Sequence, residues 1–350
     1  MRLLVLTQII DPKDPALGIY HKWVASLAQK FEHVEVICLT LRKYDLPQNV
    51  TVQSLGKENT SGNHFVKRLK YIFRFYFLIW NARRAYDAVF VHMNQEYILL
   101  GGLLWKALGK KIYMWRNHYA GSFLTDIAAS MCDKVFCTSR FSYTAKYKKT
   151  IIMPVGVDLE SVKMDISIER LPRSIIFSGR LDSSKRPHLL IKALSILKMK
   201  GVTFDKATFM GGPSKSDASY PEELRIQAEK GGIGNLVEFV GAIPNTETFR
   251  YYRSRDIYVN CSRSGMFDKT IFKALASGCT VLTSSIDFKD LAGDEYFYKD
   301  GDAEDLAQKL EKFLQITEEE HFRLLGKLKN LIERHSLPVL VNQLAKAMGA

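Results

Sequence analysis

Two cations follow a short apolar strand near the middle of the chain. Residues 174–187, SIIFSGRLDSSKRP, predict a strand that ends at Gly179, with Arg180 directly after it and Lys185 five residues further on. Open α/β sheets bind ligands at the carboxyl ends of their strands. A guanidinium offers a planar fork of donors and an ammonium a mobile point charge, so the pair suits a diphosphate better than a single carboxylate. A solvated turn with two surface cations is the alternative.

The elements before this segment predict a doubly wound sheet. Apolar runs at residues 2–7 and 34–39 flank a helical pattern, which is a βαβ opening. The same half contains further predicted strands at 87–92, 111–115, 134–138 and 151–155. We therefore expect a Rossmann-like first domain.

The pattern restarts after an irregular, charged stretch at residues 158–173, which is the predicted linker. Strands and helices then alternate from 175 to 283. The sequence thus predicts an α/β protein of two doubly wound domains, 1–160 and 161–336, facing each other across a cleft. A final helix within 337–350 can pack back on the first domain or close on the second.

Composition is that of a globular protein, with 47% hydrophobic and 25% charged residues, and 350 residues exceed the usual size of one core. A net charge of +13 favours a polyanionic partner: nucleic acid, an anionic membrane or a phosphorylated ligand. Because the chain lacks zinc-knuckle spacing, a basic tail and an aromatic RNP-like strand, nucleic acid is not expected.

The five scattered cysteines and the amino terminus both indicate a cytoplasmic protein. Cysteines embedded in apolar runs are typical of buried thiols in a reducing compartment. The run MRLLVLTQII has no small-residue cleavage site after it, so it is predicted to be a first strand and not a signal peptide.

One segment, residues 65–86, interrupts the alternation with rings and cations. Its apolar run at 75–80 is far shorter than the roughly 20 residues of a spanning helix. It suits the headgroup layer of an anionic membrane, with cations in the polar zone and rings below them. An ordinary packed helix with a basic rim is the alternative. The first interpretation places the protein peripherally on the inner face of the plasma membrane.

Several motifs in order give a family resemblance. SGRLDSSKRPHLLIKAL, FMGGP, VEFVGAIPN and DIYVNCSRSGMFDKTIFKALASGCTVLTS resemble the second domain of glycosyltransferase family four, which are retaining enzymes with the GT-B fold. In the first half, VFVHMNQEYILLGGLLWKALGKKIYMWRNH, VFCTSRFS and MPVGVD agree with it. The resemblance covers essentially the whole chain.

The resemblance implies a retaining glycosyltransferase of cell-envelope polysaccharide biosynthesis. Its donor would be a nucleotide sugar, a UDP- or GDP-sugar, and its acceptor a glycolipid, oligosaccharide or polysaccharide. It implies neither a prosthetic group nor a metal, because cationic side chains would neutralise the departing diphosphate.

Residue roles follow from the resemblance as well. Arg180 and Lys185 match the pair that faces the donor diphosphate, and His118 matches a histidine that contacts the transferred sugar, with a satisfied structural histidine as the alternative. His92 is a weaker candidate for the same face. Gly18, through its freedom in φ, would let the first loop approach the donor. The complete set of predicted donor-binding residues is Gly18, Gly179, Arg180, Lys185, Gly212, Gly265, Asp268, Lys269 and Lys273.

The chain departs from the family where two glutamates, eight positions apart, usually hold the donor. Gly265 and Lys273 occupy these positions. Around the first of these positions some relatives have the sequence Ser-x-x-Gly-x-x-Asp-Lys, and this chain has the same pattern from Ser262 to Lys269. Lys273 has only donors, so it cannot accept from ribose hydroxyls, which costs about 10- to 100-fold in donor affinity. A degenerate, non-catalytic GT-B subunit of a glycan-assembly complex is therefore the alternative function.

Overall fold

The computed structural model describes residues 1–14, 17–59, 63–162, 168–214 and 216–350. It divides into two units, Met1–Pro154 with Leu337–Ala350, and Val155–Ser336. The division thus falls after Pro154, whereas the sequence predicts it at residue 160. Part of the predicted linker, residues 163–167, lies outside the described residues.

A seven-stranded sheet forms the centre of the first unit, with the order β3-β2-β1-β4-β5-β6-β7 and parallel pairing throughout. Leu3, Leu4 and Leu6 of the central first strand have no exposed surface, because helices cover both faces of a parallel sheet. The strands are β1 (Arg2–Ile10), β2 (His33–Leu41), β3 (Val50–Ser54), β4 (Ala88–His92), β5 (Lys111–Trp115), β6 (Lys134–Cys137) and β7 (Thr150–Ile152).

Four helices of the first half pack on this sheet: α1 (Ile19–Ala28), α2 (His64–Asn81), α3 (Glu96–Ala107) and α4 (Phe123–Met131). Trp23 of α1 packs on one side of the sheet, and Phe75 of α2 and Trp105 of α3 belong to a second core that contains Leu4 and Leu6. The alternation of strand and helix therefore produces the two-sided core that the sequence predicts.

The second unit has a five-stranded parallel sheet in the order β10-β9-β8-β11-β12. Its strands are β8 (Leu171–Ser178), β9 (Lys206–Met210), β10 (Val237–Gly241), β11 (Arg255–Asn260) and β12 (Thr280–Thr283). Its helices are α5 (His188–Met199), α6 (Tyr220–Lys230), α7 (Thr248–Arg253), α8 (Lys269–Ala276), α9 (Ile286–Ala292), α10 (Ala303–Phe313) and α11 (Glu318–Arg334). Because β8 begins at Leu171, the end of the predicted linker is already strand.

The last helix, α12 (Leu337–Met348), belongs to the first unit. Leu340 and Leu344 are fully buried in the same core as Trp23. Tyr113 donates a hydrogen bond from its hydroxyl to the Met348 carbonyl at 3.0 Å. The carboxyl end of the chain is thus fixed to the first sheet.

All five cysteines are buried and free of disulfides. Burial raises the pKa of Cys38 and of Cys279 to about 12, so these thiols are poor nucleophiles near neutral pH. Separately, none of the helices in the described part of the chain combines the length and apolarity that a bilayer crossing requires.

Candidate functional site

The turn after β8 is fixed by main-chain contacts with the turn after β9. The Gly179 amide donates to Met210 O at 3.0 Å, and the Leu181 amide to Gly212 O at 2.9 Å. Gly211 has φ +147°, and a Cβ there would lie 1.8 Å from Gly179 O. Only glycine fits this approach. The main chain on both sides of Arg180 is consequently held at the carboxyl edge of the sheet.

Asp182, almost fully buried, organises the loop that carries both predicted cations. It accepts hydrogen bonds from the amides of Ser184 and Lys185 at 3.1 and 3.0 Å, and from the Ser184 hydroxyl at 2.6 Å. Its other carboxylate oxygen lies 3.3 Å from Arg180 Nη1, yet the Arg180 side chain remains 55% exposed. Sequence reasoning missed Asp182, although Asp followed two residues later by Ser is a signature of an Asx turn.

Lys185 forms a salt bridge with Asp268, 83 residues further along the chain. Lys185 Nζ lies 2.8 Å from both carboxylate oxygens and 3.1 Å from Ser262 Oγ. Asn260 donates to the same carboxylate at 3.0 Å. The two side chains are only 16% and 17% exposed. Two predicted donor-binding residues are therefore brought together, but as partners of each other, and Asp268 neutralises the charge of Lys185 locally.

Asp268 occupies the N-cap position of α8, but its side chain forms no capping hydrogen bond. Burial alone would raise the pKa of this carboxyl group. The charge of Lys185 and hydrogen bonds from Lys185, Ser262 and Asn260 outweigh burial and hold the pKa below its ordinary value. The Asp268 carboxylate is therefore ionised at neutral pH, and the first amides of α8 are not capped by this side chain.

Lys269 and Lys273 add two further cations to α8. Burial, followed by the charge of Lys273, lowers the pKa of Lys269 to about 7. Lys273 donates to Thr248 Oγ1 at 3.1 Å, to Asn245 O at 3.4 Å and to Asn245 Oδ1. Lys273 thus connects the segment before α7 to α8. A glutamate could not replace it, because an ionised carboxylate cannot donate a hydrogen bond to the Asn245 carbonyl oxygen.

Two further predicted residues of the second unit, Gly212 and Gly265, have main-chain roles in turns. Gly265 has φ +97°, a conformation that residues with a Cβ rarely adopt. Gly212 accepts the Leu181 hydrogen bond described above. The acidic side chains near these turns also have partners, as Asp217 accepts from the Ser183 amide and hydroxyl at 2.9 and 2.8 Å. Within the described residues, no group of three or more His, Cys, Asp or Glu side chains could hold a metal ion.

Gly18 is needed for a different reason from the predicted one. Its φ of −57° is ordinary helical backbone, so it does not use the conformational freedom of glycine. A Cβ at this position would lie 2.6 Å from Asp14 O and 2.7 Å from Pro12 O. Gly18 therefore allows the loop to fold tightly on itself.

His118 follows β5 in the first unit and is half-buried. The Ala120 amide donates to His118 Nδ1 at 2.9 Å, and the ring stacks on Tyr119 with centroids 4.5 Å apart. The same Nδ1 also lies 3.2 Å from Ala120 O, so both polar groups of Ala120 meet this ring nitrogen. His92, the weaker candidate, is buried, with its ring centroid 3.9 Å from that of Tyr20 and 5.6 Å from that of Trp23. His92 is thus packed in an aromatic cluster.

Comparison with known proteins agrees with this architecture. Residues 172–315 match the family described as Glycosyl transferases group 1. D-inositol 3-phosphate glycosyltransferase of Frankia alni is 28% identical over 155 residues, which is 41% of this chain and 38% of that protein. The enzyme of the same name from Corynebacterium glutamicum is 29% identical over 128 residues, 36% of this chain and 30% of that protein. The chain thus spans about a third of the length of these curated relatives.

Solved structures extend the likeness to the whole chain. Anabaena Alr3699/HepE in complex with UDP superposes with a TM-score of 0.76 at 16% identity, covering 100% of both chains. WaaG, described as a glycosyltransferase involved in lipopolysaccharide biosynthesis, gives 0.67 at 14% identity and covers 99% of both chains. At this identity the likeness establishes the fold, which is GT-B.

The predicted resemblance to glycosyltransferase family four is confirmed by the family match over residues 172–315, and the likeness of the whole chain to solved structures confirms the predicted GT-B fold. The enzyme class of these relatives is the predicted one, glycosyltransferase.

The low pKa of Lys269 predicts a pH-dependent stability. The unfolded side chain keeps its proton up to about pH 10.5 and the folded one only up to about pH 7, so between these values the unfolded state binds more protons and stability rises with pH. Lys269→Met removes this penalty. We expect the variant to exceed the native protein by a few kcal/mol in free energy of unfolding at pH 7, on the order set by about 1.4 kcal/mol per pKa unit, and by much less at pH 10.

Urea unfolding across this range measures the difference, with Lys198→Met on the exposed end of α5 as the matched control. A Lys269→Met advantage that stays constant from pH 7 to 10 would contradict the assignment.

Proposed function

We propose that this protein is a retaining, metal-independent glycosyltransferase that transfers a sugar from a nucleotide-sugar donor to a glycolipid or polysaccharide acceptor. The observation that carries the proposal is the turn after β8, where Gly179 and Gly211 hold Arg180 at the carboxyl edge of a sheet inside the segment that matches the family. A UDP- or GDP-sugar supplies the diphosphate that this cationic turn recognises.

The proposed chemistry assigns a role to each cation. The bond between the anomeric carbon and the diphosphate oxygen breaks, and its electron pair stays on the diphosphate. The acceptor oxygen bonds to the same face of that carbon, and the proton of the acceptor hydroxyl passes to the departing diphosphate oxygen. Negative charge grows on the departing diphosphate, and the exposed guanidinium of Arg180 stabilises it together with Lys185. Asp268 orients Lys185 through its two carboxylate oxygens. His118 forms a hydrogen bond with a hydroxyl of the transferred sugar.

Solved neighbours support the choice of donor and acceptor. Alr3699/HepE has been crystallised with UDP and with UDP-glucose, which makes UDP-sugars the first donors to test. WaaG acts in lipopolysaccharide biosynthesis, which favours a glycolipid acceptor of the cell envelope. We propose the cytoplasmic face of the plasma membrane as the place of reaction.

The outward face of α2 supports attachment to that membrane. Val66, Leu69, Phe73, Phe77 and Trp80 recur every three or four residues and are 40 to 73% exposed. Such a continuous exposed apolar stripe marks an interaction surface. α2 contains no acidic residue. The cations of residues 65–86 are Lys67, Arg68, Lys70, Arg74, Arg83 and Arg84. Anionic lipid fits rings and cations together, whereas a second copy of this helix would bring like charges into contact.

A second candidate function is a non-catalytic subunit of a glycan-assembly complex. Lys273, where the family has a glutamate, is engaged by Asn245 and Thr248, and Asp268 neutralises Lys185. Both contacts reduce what is available to a nucleotide. This candidate predicts a folded protein with little affinity for UDP or GDP.

Removing Arg180 tests the leading proposal. Arg180→Ala deletes a charge-assisted contact with the diphosphate, so we expect the dissociation constant of UDP to rise about 10- to 100-fold. Lys198→Ala, which removes an exposed cation of the same unit, should leave the affinity unchanged. Calorimetric titration measures binding, and hydrolysis of UDP- and GDP-sugars measures turnover. A folded native protein that neither binds nor turns over any of these nucleotides would contradict the proposal and leave the subunit function.

Lys273→Glu separates the two candidates in a second way. In the native protein Lys273 holds the Asn245 carbonyl, so a carboxylate there repels the loop while it offers acceptors to ribose. If the native protein is active, we expect the variant to lose thermal stability without a gain of more than about tenfold in UDP affinity. A large gain from a native protein that scarcely binds would favour the degenerate subunit.

Membrane attachment predicts dependence on the cations of α2. Replacing Arg68, Lys70 and Arg74 by glutamine should lower co-sedimentation with phosphatidylglycerol vesicles roughly a hundredfold, since each cation near an anionic surface contributes about 1 kcal/mol. Replacing Lys192, Lys198 and Lys230 of the second unit changes the net charge equally. Equal losses in the two triple variants would contradict a specific role of α2.

A further inference from the structure

An apolar pocket of about 610 Å³ lies between α2 and α3 in the first unit. Leu69 and Phe75 of α2, Tyr97 and Leu100 of α3, and Leu39 near the end of β2 contribute to its wall. Pockets of this size and apolar character typically hold small organic ligands. The pocket lies toward the carboxyl edge of the first sheet, where α/β sheets receive ligands.

The walls of this pocket are fixed before any ligand arrives. The Tyr76 hydroxyl donates to Leu100 O at 2.8 Å and so ties α2 to α3. Phe75, almost fully buried, packs on Tyr97 and Trp105 with ring centroids 5.6 and 6.0 Å apart. Because these contacts form without a ligand, the pocket is preorganised, which lowers the entropic cost of ligand binding.

Two exposed charged side chains of opposite sign line the pocket, Arg68 of α2 and Glu96 at the start of α3. The Arg68 guanidinium offers a planar fork of donors that suits a phosphate. The rest of the lining is mostly apolar and suits a hydrocarbon chain. An amphiphile with an anionic head can therefore use both parts of the lining.

We propose that this pocket binds one hydrocarbon chain of a lipid-linked acceptor, with the phosphate of that acceptor at Arg68. The inference rests on the proposed transferase function and names the lipid part of its acceptor. Two observations commit it to this occupant. Leu69 belongs both to the pocket and to the outward stripe, so the apolar lining of the pocket continues onto the surface that we propose contacts the membrane. Arg68, which lines the pocket, can pair with a phosphate head.

The test uses dodecyl phosphate, which has one chain and one anionic head, titrated into the full-length protein below its micelle concentration. Ile72→Trp and Leu100→Trp each fill the pocket from a different helix. We expect either variant to weaken binding by about tenfold for every two methylenes that it excludes. Leu103→Trp, on the exposed side of α3, is the matched control and should bind as the native protein does.

Three further measurements distinguish a hydrocarbon chain in the pocket from phosphate binding alone and from bulk lipid on the outward stripe. Inorganic phosphate should bind at least tenfold more weakly than dodecyl phosphate, because it lacks the chain. Arg68→Gln should weaken dodecyl phosphate and leave dodecanol unchanged. Phe77→Glu, on the outward stripe outside the pocket, should reduce vesicle binding but leave dodecyl phosphate binding intact. If Phe77→Glu weakens dodecyl phosphate as much as Ile72→Trp does, the chain lies on the stripe as bulk lipid and the inference is overturned.

UDP affinity, measured on the same variants, keeps this inference distinct from the proposed function. Unchanged UDP binding shows that each variant is folded. If the native protein binds UDP but binds dodecyl phosphate no better than inorganic phosphate, the proposed lipid site is contradicted and the proposed transferase function is not. If the native protein does not bind UDP, the transferase function is contradicted, and the proposal of a lipid-linked acceptor is contradicted with it.

Discussion

The salt bridge between Lys185 and Asp268 is the interaction on which the second unit depends. Taking both charges out of water is costly, and each is tolerated because the other, with Ser262 and Asn260, satisfies it. Removing one partner would leave an uncompensated buried charge. The bridge joins the loop after β8 to the start of α8, and it thereby brings together two segments that are remote in sequence but adjacent in the proposed donor site.

Glycines and cations near this salt bridge have different structural roles. Gly179 and Gly211 let the turns after β8 and β9 touch, which fixes the main chain of Arg180 while its guanidinium stays in solvent. Lys273, by contrast, holds the segment before α7 and crowds Lys269 electrostatically. At the position where the resemblance implies a glutamate, this chain therefore has a lysine that connects two segments of the second unit. We infer that donor contacts shift toward the turn that carries Arg180.

The fold was predictable and the partners within the site were only partly so. Buried parallel strands are continuous apolar runs, so β1, β4, β5 and β8 were evident. The edge strand β3, VTVQS, has too little apolar character, and α10 and α11 went unnoticed although Asp302 and the Thr317 and Glu320 capping box mark their starts. The pairing of Lys185 with Asp268 spans 83 residues and depends on tertiary packing. The close contact of Gly18 with the Asp14 and Pro12 carbonyl oxygens likewise cannot be predicted from sequence, because it depends on the path of the loop.

The central claim is that the turn carrying Arg180 and Lys185 exists to hold a diphosphate. It is tested most directly by comparing the affinities of the native protein for UDP, UMP and uridine in one buffer at one ionic strength. The account predicts that UDP binds at least a hundredfold more tightly than uridine, with UMP between them, since two charge-assisted contacts are lost with the phosphates. Equal affinities for the three ligands, or no binding of UDP by folded protein, would contradict it.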